Sequence, residues 1–355
     1  MEITVSREAK ASLRRKAEHL SISLEQDVAF KEVSTGLENY SFVHQALPEI
    51  DAASVDVSLD LFGKRLASPI VISCMTGGIQ AAAEINRRLA EAAQALGLAM
   101  GVGSQRVAIE DGERARYFQI RDVAPDILLF ANLGAVQLNN GYGVRECQAA
   151  VDMVGADALV LHLNPLQEVL QGEGNTNYAG LLRRIEAVCR VLPVPVIVKE
   201  VGWGISGDVA RKLAEAGVTG IDVAGSGGTC WSEVEKHRAP DSQTAAIAAS
   251  FASWGIPTAE SIRMARAAAP NVTIIGSGGV RTGLDVAKCI ALGADAAGLA
   301  WPLLRAAKLS SEAVTQHLSA IVKELKVAMF CIGAQDLGQL KATSFLRSVG
   351  SMDRS

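Results

Sequence analysis

The chain has 355 residues, 49% of them hydrophobic but only 5% aromatic, and a formal net charge of −4. A length of this order suits one large α/β domain or two small ones, with a core of Ala, Val, Ile and Leu. The mildly acidic balance excludes a global basic field for nucleic acid, so any bound anion must be met by a local site.

Taken in chain order, residues 1–60 read as an N-terminal extension of helix and loop. Short aliphatic runs then alternate with helical patterns. The expected strands are 69–73, 99–103, 127–133, 158–164, 195–201, 219–225, 273–277 and 295–300. Most are apolar without alternation, which predicts burial of both faces. Helical segments at 83–96, 208–216 and 283–292 each end near a glycine (Gly97, Gly217, Gly293), the usual C-terminal stop. Eight β-then-α units predict an α/β fold, a (β/α)8 TIM barrel spanning residues 61–340. An open doubly wound sheet is the rival, weakened because no GxGxxG follows the first strand. Residues 226–272 are long enough to hold an insertion after strand 6, and residues 341–355 are polar and expected to fray as a C-terminal tail.

No apolar run reaches the roughly 18 residues that span a bilayer, and charges through the N-terminal stretch leave no signal-peptide h-region. The six cysteines, at 74, 147, 189, 230, 289 and 331, show no CxxC or zinc spacing. They read as reduced thiols of a cytoplasmic protein, with Cys74 and Cys230 set beside glycine-rich motifs.

In such a barrel the chemistry sits at the carboxyl ends of the strands. Those ends carry Met75-Thr76-Gly77-Gly78, then Gly103-Ser104-Gln105-Arg106, then Asn132, then His162, Asn164, Gln167 and Glu168. Lys199 follows on strand 5, Gly225 to Thr229 on strand 6, Gly278-Gly279 on strand 7 and Gly298 on strand 8. The glycine loops let backbone N–H groups approach an anion with no Cβ in the way, and late-strand loops of this kind form the usual barrel phosphate site. Side chains alternate along a strand, so Val160, His162 and Asn164 share a face. A lysine in the apolar run 196–200 requires a partner, a cofactor charge or a Schiff-base role. Arg15, Lys16, Ser104 and Arg106 suit a second phosphate group, and the lone carboxylate of Glu168 suits a hydrated Mg2+ bridged to it.

These pieces make the chain similar to the FMN-dependent (type 2) isopentenyl-diphosphate delta-isomerases from about residue 14 to about residue 308. The most specific matches are the RKxxHL pattern beginning at Arg15 and His162-Leu163-Asn164-Pro165-Leu166-Gln167-Glu168. Met75 to Gly78, Gly103 to Arg106, Ala131 to Leu138, Lys199 to Gly202, the Asp222-to-Trp231 run and Ser277 to Arg281 also match. The resemblance implies reversible isomerisation of isopentenyl diphosphate to dimethylallyl diphosphate, with reduced FMN, NADPH as its reductant, and Mg2+. It implies Gln167 and His162 as catalytic residues, and Glu168 as the metal ligand. Substrate contacts would come from Arg15, Lys16, His19, Ser104, Gln105, Arg106, Asn164 and Gln167. FMN contacts would come from Met75, Thr76, Gly77, Gly78, Ser104, Asn132, Lys199, Ser226, Thr229, Gly278, Gly279, Val280, Ala297 and Gly298. It further implies a homo-oligomer, a tetramer or octamer. Cys74, Cys230 and the bulky Trp301 depart from the usual pattern.

The rival functions are an FMN-dependent oxidoreductase of the 2-hydroxy-acid oxidase or IMP dehydrogenase type, a flavin-free aldolase using Lys199, and a non-catalytic flavin-binding module. The first would want a base His and a substrate Arg near strand 6, and no His occurs there before His237.

Overall fold

The computed structural model describes residues 7–349, with side chains from residue 13. Eight parallel strands close into a barrel: β1 (Ile70–Ile72), β2 (Ala99–Gly101), β3 (Leu128–Gly134), β4 (Ala158–His162), β5 (Val196–Lys199), β6 (Gly220–Asp222), β7 (Thr273–Ser277) and β8 (Ala296–Leu299). Strand β8 returns to β1 with Gly298 opposite Val71. The doubly wound alternative is thereby excluded. The apolar runs have their physical reason here: β3 is buried at all seven positions, between barrel interior and outer helices.

The helices, in chain order, are α1 (Arg7–Glu25), α2 (Gln80–Leu96), α3 (Arg106–Glu110), α4 (Val144–Val154), α5 (Pro165–Leu170), α6 (Leu181–Val191), α7 (Gly207–Glu215), α8 (Trp231–Arg238), α9 (Ser242–Ala249), α10 (Thr258–Ala268), α11 (Gly283–Ala291), α12 (Trp301–Leu309), α13 (Ser311–Phe330) and α14 (Leu337–Lys341). The expected insertion after strand 6 holds α8 and α9.

The barrel floor is plugged. An antiparallel hairpin, Leu59–Leu61 with Lys64–Leu66, sends Leu61 and Leu66 into a cluster with Val71, Phe130, Val160 and Ile197. Phe62 stacks edge-on against Phe130, centroids 6.0 Å apart. It fits because β6 starts with glycine: a Cβ on Gly220 would lie 2.8 Å from the Phe62 ring. Among the described residues, the hairpin closes this end and leaves the interior open at the carboxyl ends of the strands.

Two expectations need correction. Strand 158–164 stops at His162, and Asn164 (φ −142°, ψ 48°) instead begins α5 with Pro165 in its first turn. The proline has no N–H to add to the ladder but suits a helix's first position, so the chain turns there. The C-terminal segment does not fray throughout, since Leu346–Ser348 pairs antiparallel with Tyr40–Phe42.

Candidate active site

A cavity of about 680 Å3 lies at the carboxyl ends of the strands, roofed by α1, which packs against α3, α8 and α12. One wall is glycine backbone from the loops after β6, β7 and β8. A Cβ on Gly278 (φ 103°) would lie 2.1 Å from the Gly225 carbonyl oxygen, and one on Gly279 (φ 76°) 2.6 Å from that of Gly227. A Cβ on Gly228 would sit 2.5 Å from the Gly279 nitrogen. The loops touch main chain to main chain, which leaves bare backbone at the cavity. The segment after α1 runs alongside: Cys230 N–H donates to Val28 O (2.7 Å) and Phe30 N–H to Gly228 O (3.1 Å). Next to Gly298, the Ser73 hydroxyl is buried with no hydrogen-bond partner among the described residues.

The register of the parallel ladder sets His162 beside Lys199 and Lys199 beside Asp222. Lys199 is 93% buried by its 7% exposure, and its Nζ donates to Glu200 O at 2.6 Å. The Glu200 carboxylate turns away, accepting the backbone N–H groups of Val201, Gly202 and Trp203 at 2.7, 2.7 and 2.6 Å. Asp222 accepts a hydrogen bond from the Ser277 hydroxyl. His162 Nδ1 lies 2.8 Å from Asn132 Oδ1. A carbonyl oxygen only accepts, so the Nδ1 carries the proton and donates. Burial first, then the nearby charges of Lys199 and Lys16, push His162 down to about 3 and keep it neutral.

Helix α1 brings Arg15, Lys16 and His19 to the cavity. Lys16 Nζ donates to the carbonyls of Gly77 (2.9 Å) and Ser104 (2.7 Å), bridging the loops after β1 and β2. Burial, reinforced by Arg15 and Arg106, lowers Lys16 to about 7. Arg15 is also lowered by burial, with Glu168 as its main opposing charge. The three cations thus stand close enough at the cavity to disfavour one another's charge.

Helix α5 carries a directed hydrogen-bond chain. Tyr178 hydroxyl lies 3.2 Å from Asn164 Oδ1; Asn164 Nδ2 donates to Gln167 Oε1 (3.1 Å) and Glu168 Oε1 (2.9 Å). Gln167 Nε2 donates to Glu235 Oε1 at 3.3 Å. Glu235 also meets His19 Nε2 at 2.9 Å and Arg238 at 2.5 Å. The His19 ring stands edge-on to Trp231, 5.1 Å between centroids.

Most expected residues reach the cavity: Met75, Thr76, Gly77, Ser104, Arg106, Asn132, His162, Asn164, Gln167, Glu168, Lys199, Thr229, Val280 and those of α1. Four do not. Gln105 is fully buried behind the wall, donating to Ala150 O and accepting from Asn132 N–H, both at 2.8 Å. It therefore braces β3 and has no free group for a substrate. Gly78 backs onto Val107, its Cβ position 2.4 Å from that side chain. Ser226 is fully buried and hydrogen-bonded to Trp254 O at 3.4 Å, and Ala297 is a fully buried β8 residue. Glu235, Tyr178 and Gln171 are not singled out by the sequence pattern, and Trp231 enters it only as the end of the matched Asp222-to-Trp231 run. Gln171 lines the cavity with a buried, unpartnered Oε1. Cys74 lines it too, its thiol pushed up to about 11 by burial. Among the described residues, no three His, Cys, Asp or Glu side chains group to hold a metal. No described helix is long and apolar enough to cross a membrane.

The family model for FMN-dependent dehydrogenases matches residues 9–122 and 162–347. A Nostoc isopentenyl-diphosphate delta-isomerase is 54% identical over 94% of this chain and 95% of its own length. The Stutzerimonas stutzeri isopentenyl-diphosphate delta-isomerase is 51% identical over 94% and 96%. The chain belongs to the FMN-dependent dehydrogenases and, among them, to the isopentenyl-diphosphate delta-isomerases. Solved structures share the fold at lower identity. A mandelate oxidase superposes with TM-score 0.65 at 20% identity, covering 96% of this chain and 98% of that one. A Pediococcus acidilactici lactate oxidase, so described with its assignment marked putative, gives 0.66 at 17%, covering 96% and 93%.

Proposed function

We propose that the chain interconverts isopentenyl diphosphate and dimethylallyl diphosphate, adding a proton at the terminal alkene carbon of isopentenyl diphosphate and removing one from its C2. The observation that carries this reading is Gln167, held at 3.1 Å by Asn164 and at 3.3 Å by Glu235 inside a cavity rimmed by Arg15, Lys16 and Arg106.

The site fits FMN. The glycine wall at Gly228, Gly278 and Gly279 has no space for a Cβ, which suits a phosphate group against main chain. The unpartnered Ser73 hydroxyl and the Lys199 ammonium suit the polar edge of a flavin. Bound and reduced, FMN supplies an electron-rich ring that stabilises developing positive charge and carries a proton. Lys199 opposes negative charge on that ring, and Asn132 fixes the tautomer of His162 so that Nε2 stays an acceptor. Arg15, Lys16 and Arg106 bind the diphosphate. α1 closes the site from water, and Gln167 orients the reacting carbons.

A single carboxylate with diphosphate oxygens suits Mg2+, which keeps most of its waters. Glu168 would hold it, and the free Gln171 Oε1 nearby suits one of its waters. NADPH as the reductant, a cytoplasmic setting and a homo-oligomer, tetramer or octamer, complete the reading. The oxidoreductase alternative gains no support from the site: the end of β6 presents Ala224, Gly228 and Thr229 to the cavity and no histidine.

The test is anaerobic incubation with FMN, NADPH, Mg2+ and isopentenyl diphosphate. Dimethylallyl diphosphate should form without stoichiometric NADPH loss. Bound, reducible flavin with no product would sink the isomerase reading. Gln167→Ala should keep FMN and lose most turnover.

A further inference from the structure

The direction of the hydrogen-bond chain behind α5 is fixed at both ends by carboxylates. A carboxylate oxygen accepts, so the Asn164 atom facing Glu168 Oε1 at 2.9 Å is Nδ2. Asn164 Oδ1 then faces Tyr178, and Tyr178 must be the donor. Glu235 likewise fixes Gln167: Nε2 points at Glu235, and Oε1 is left to accept from Asn164. One tyrosine hydroxyl therefore heads a branched chain that reaches both Gln167 and Glu168.

The hydroxyl is suited to that place. Burial, reinforced by the Glu168 charge, raises the Tyr178 pKa, so the proton stays on oxygen. Asn164 is 96% buried by its 4% exposure, which leaves its Oδ1 little access to water. The loop bearing Tyr178 is itself held in place. Gly174 lies so close to the Glu168 main chain that a Cβ would meet its carbonyl oxygen at 1.7 Å. Asn175 N–H donates to Glu168 Oε2 at 2.5 Å. Asn139 Nδ2 donates to the carbonyls of Asn177 (2.8 Å) and Ala179 (3.1 Å) on either side of Tyr178.

We infer that Tyr178 is a positioning residue, whose hydroxyl orients the Asn164 amide and through it the Glu168 carboxylate and the Gln167 amide. The inference rests on the proposed isomerase reading for its kinetic consequence, and on the Glu168 metal site of that reading for its binding consequence, which needs no turnover to be read. Without the hydroxyl, Asn164 Oδ1 loses its donor, the amide is free to turn, and both groups on α5 lose a fixed neighbour. Partners of metal-binding carboxylates cost roughly 10–100-fold in metal affinity when removed.

The experiment uses FMN-loaded wild-type and Tyr178→Phe protein. Mn2+ binding in the presence of inorganic pyrophosphate is followed by electron paramagnetic resonance, with Tm and FMN affinity as controls. The expected result is Mn2+ binding weakened about tenfold, with FMN affinity unchanged. In turnover, the Mg2+ half-saturation point should rise by a similar factor, and kcat should fall because Gln167 is less well held. Mn2+ binding and kcat equal to wild type in a folded Tyr178→Phe protein would overturn the inference. If wild-type protein yields no dimethylallyl diphosphate, the isomerase reading fails, while the Mn2+ comparison still decides the positioning role. If the variant does not load FMN, Asn164→Asp replaces it: a carboxylate at Asn164 keeps an acceptor for Tyr178 and removes the donor to Glu168. Unchanged Mn2+ binding there would equally overturn the inference.

Discussion

The indole N–H of Trp301 donates to the Ser23 carbonyl across 2.9 Å. The contact ties α1, the cavity roof, to the first turn of α12, which follows β8. The Arg305 guanidinium lies over the Trp301 ring, 4.5 Å from its centroid, a second contact that holds the indole. A residue whose bulk had no account in the sequence is thus the fastening of the roof. Trp301→Phe removes a hydrogen bond worth about 1 kcal/mol. The substrate KM should rise about fivefold, with a smaller change in kcat. Steady-state kinetics of Trp301→Phe against wild type checks this, and an unchanged KM would leave Trp301 as packing only.

Gly279→Ala tests the glycine wall. The position combines φ 76° with a Cβ site 2.5 Å from the Thr35 side chain. A left-handed conformation alone costs a non-glycine residue roughly 1–2 kcal/mol. FMN affinity should fall by at least about tenfold, read by flavin fluorescence quenching, while circular dichroism keeps the barrel signature.

Lys16 gives a pH dependence with a definite sign. Burial lowers its folded pKa to about 7, from 10.5 for a free lysine. The ammonium that suits a diphosphate is lost as pH rises through about 7, so kcat/KM should fall on that limb. For the substrate-free protein the sign reverses. Between about 7 and 10.5 the unfolded chain binds the extra proton, and folding stability rises with pH. Lys16→Met should lose the alkaline limb of kcat/KM and raise Tm at pH values below that window. A profile identical to wild type would remove Lys16 from the diphosphate contact.

Glu168→Ala should raise the Mg2+ requirement sharply and leave FMN binding intact. An unchanged Mg2+ titration would remove Glu168 as the ligand.

Glu235→Gln probes the far end of the hydrogen-bond chain. Its Oε1 accepts from Gln167 and meets His19, so an amide there introduces N–H groups facing the Gln167 donor. Turnover should drop by one to two orders of magnitude, with FMN affinity unchanged. Wild-type kcat would show that Gln167 needs no anchor.

Much of the barrel was legible because doubly buried strands leave an uninterrupted apolar signature, and because the strand ends fall where polar residues abruptly appear. The His162-to-Glu168 stretch is the clearest case. Its last two expected strand residues, 163 and 164, lie outside β4 because Pro165 occupies the first turn of α5, which a strand-length apolar run does not reveal. Gln105 shows the opposite limit. Its neighbours Ser104 and Arg106 line the cavity, and only the three-dimensional register shows that the residue between them points outward to Ala150 O. Glu235 was hidden for another reason. It lies in the charge run Glu233-Val234-Glu235-Lys236-His237-Arg238, which reads as a solvated helix face, yet Glu233 and Glu235 are 7% and 3% exposed. α8 is packed between α9 and two helices far away in sequence, α1 and α5, whose His19 and Gln167 meet Glu235, and no local pattern encodes those contacts.

The pairing of β8 with β1 has a consequence for how the protein is made. Gly298 stands opposite Val71, and a Cβ at Gly298 would meet Ser73 Oγ at 2.4 Å. This corner of the cavity is built from the two strands most distant along the barrel's sequence. Closing so long a loop is entropically slow. During synthesis on the ribosome, β1 waits with an unpaired edge until β8 emerges, and the cavity lacks a side until then. Flavin capture should therefore report completion of the barrel, and nascent chains truncated before Ala296 should not retain it.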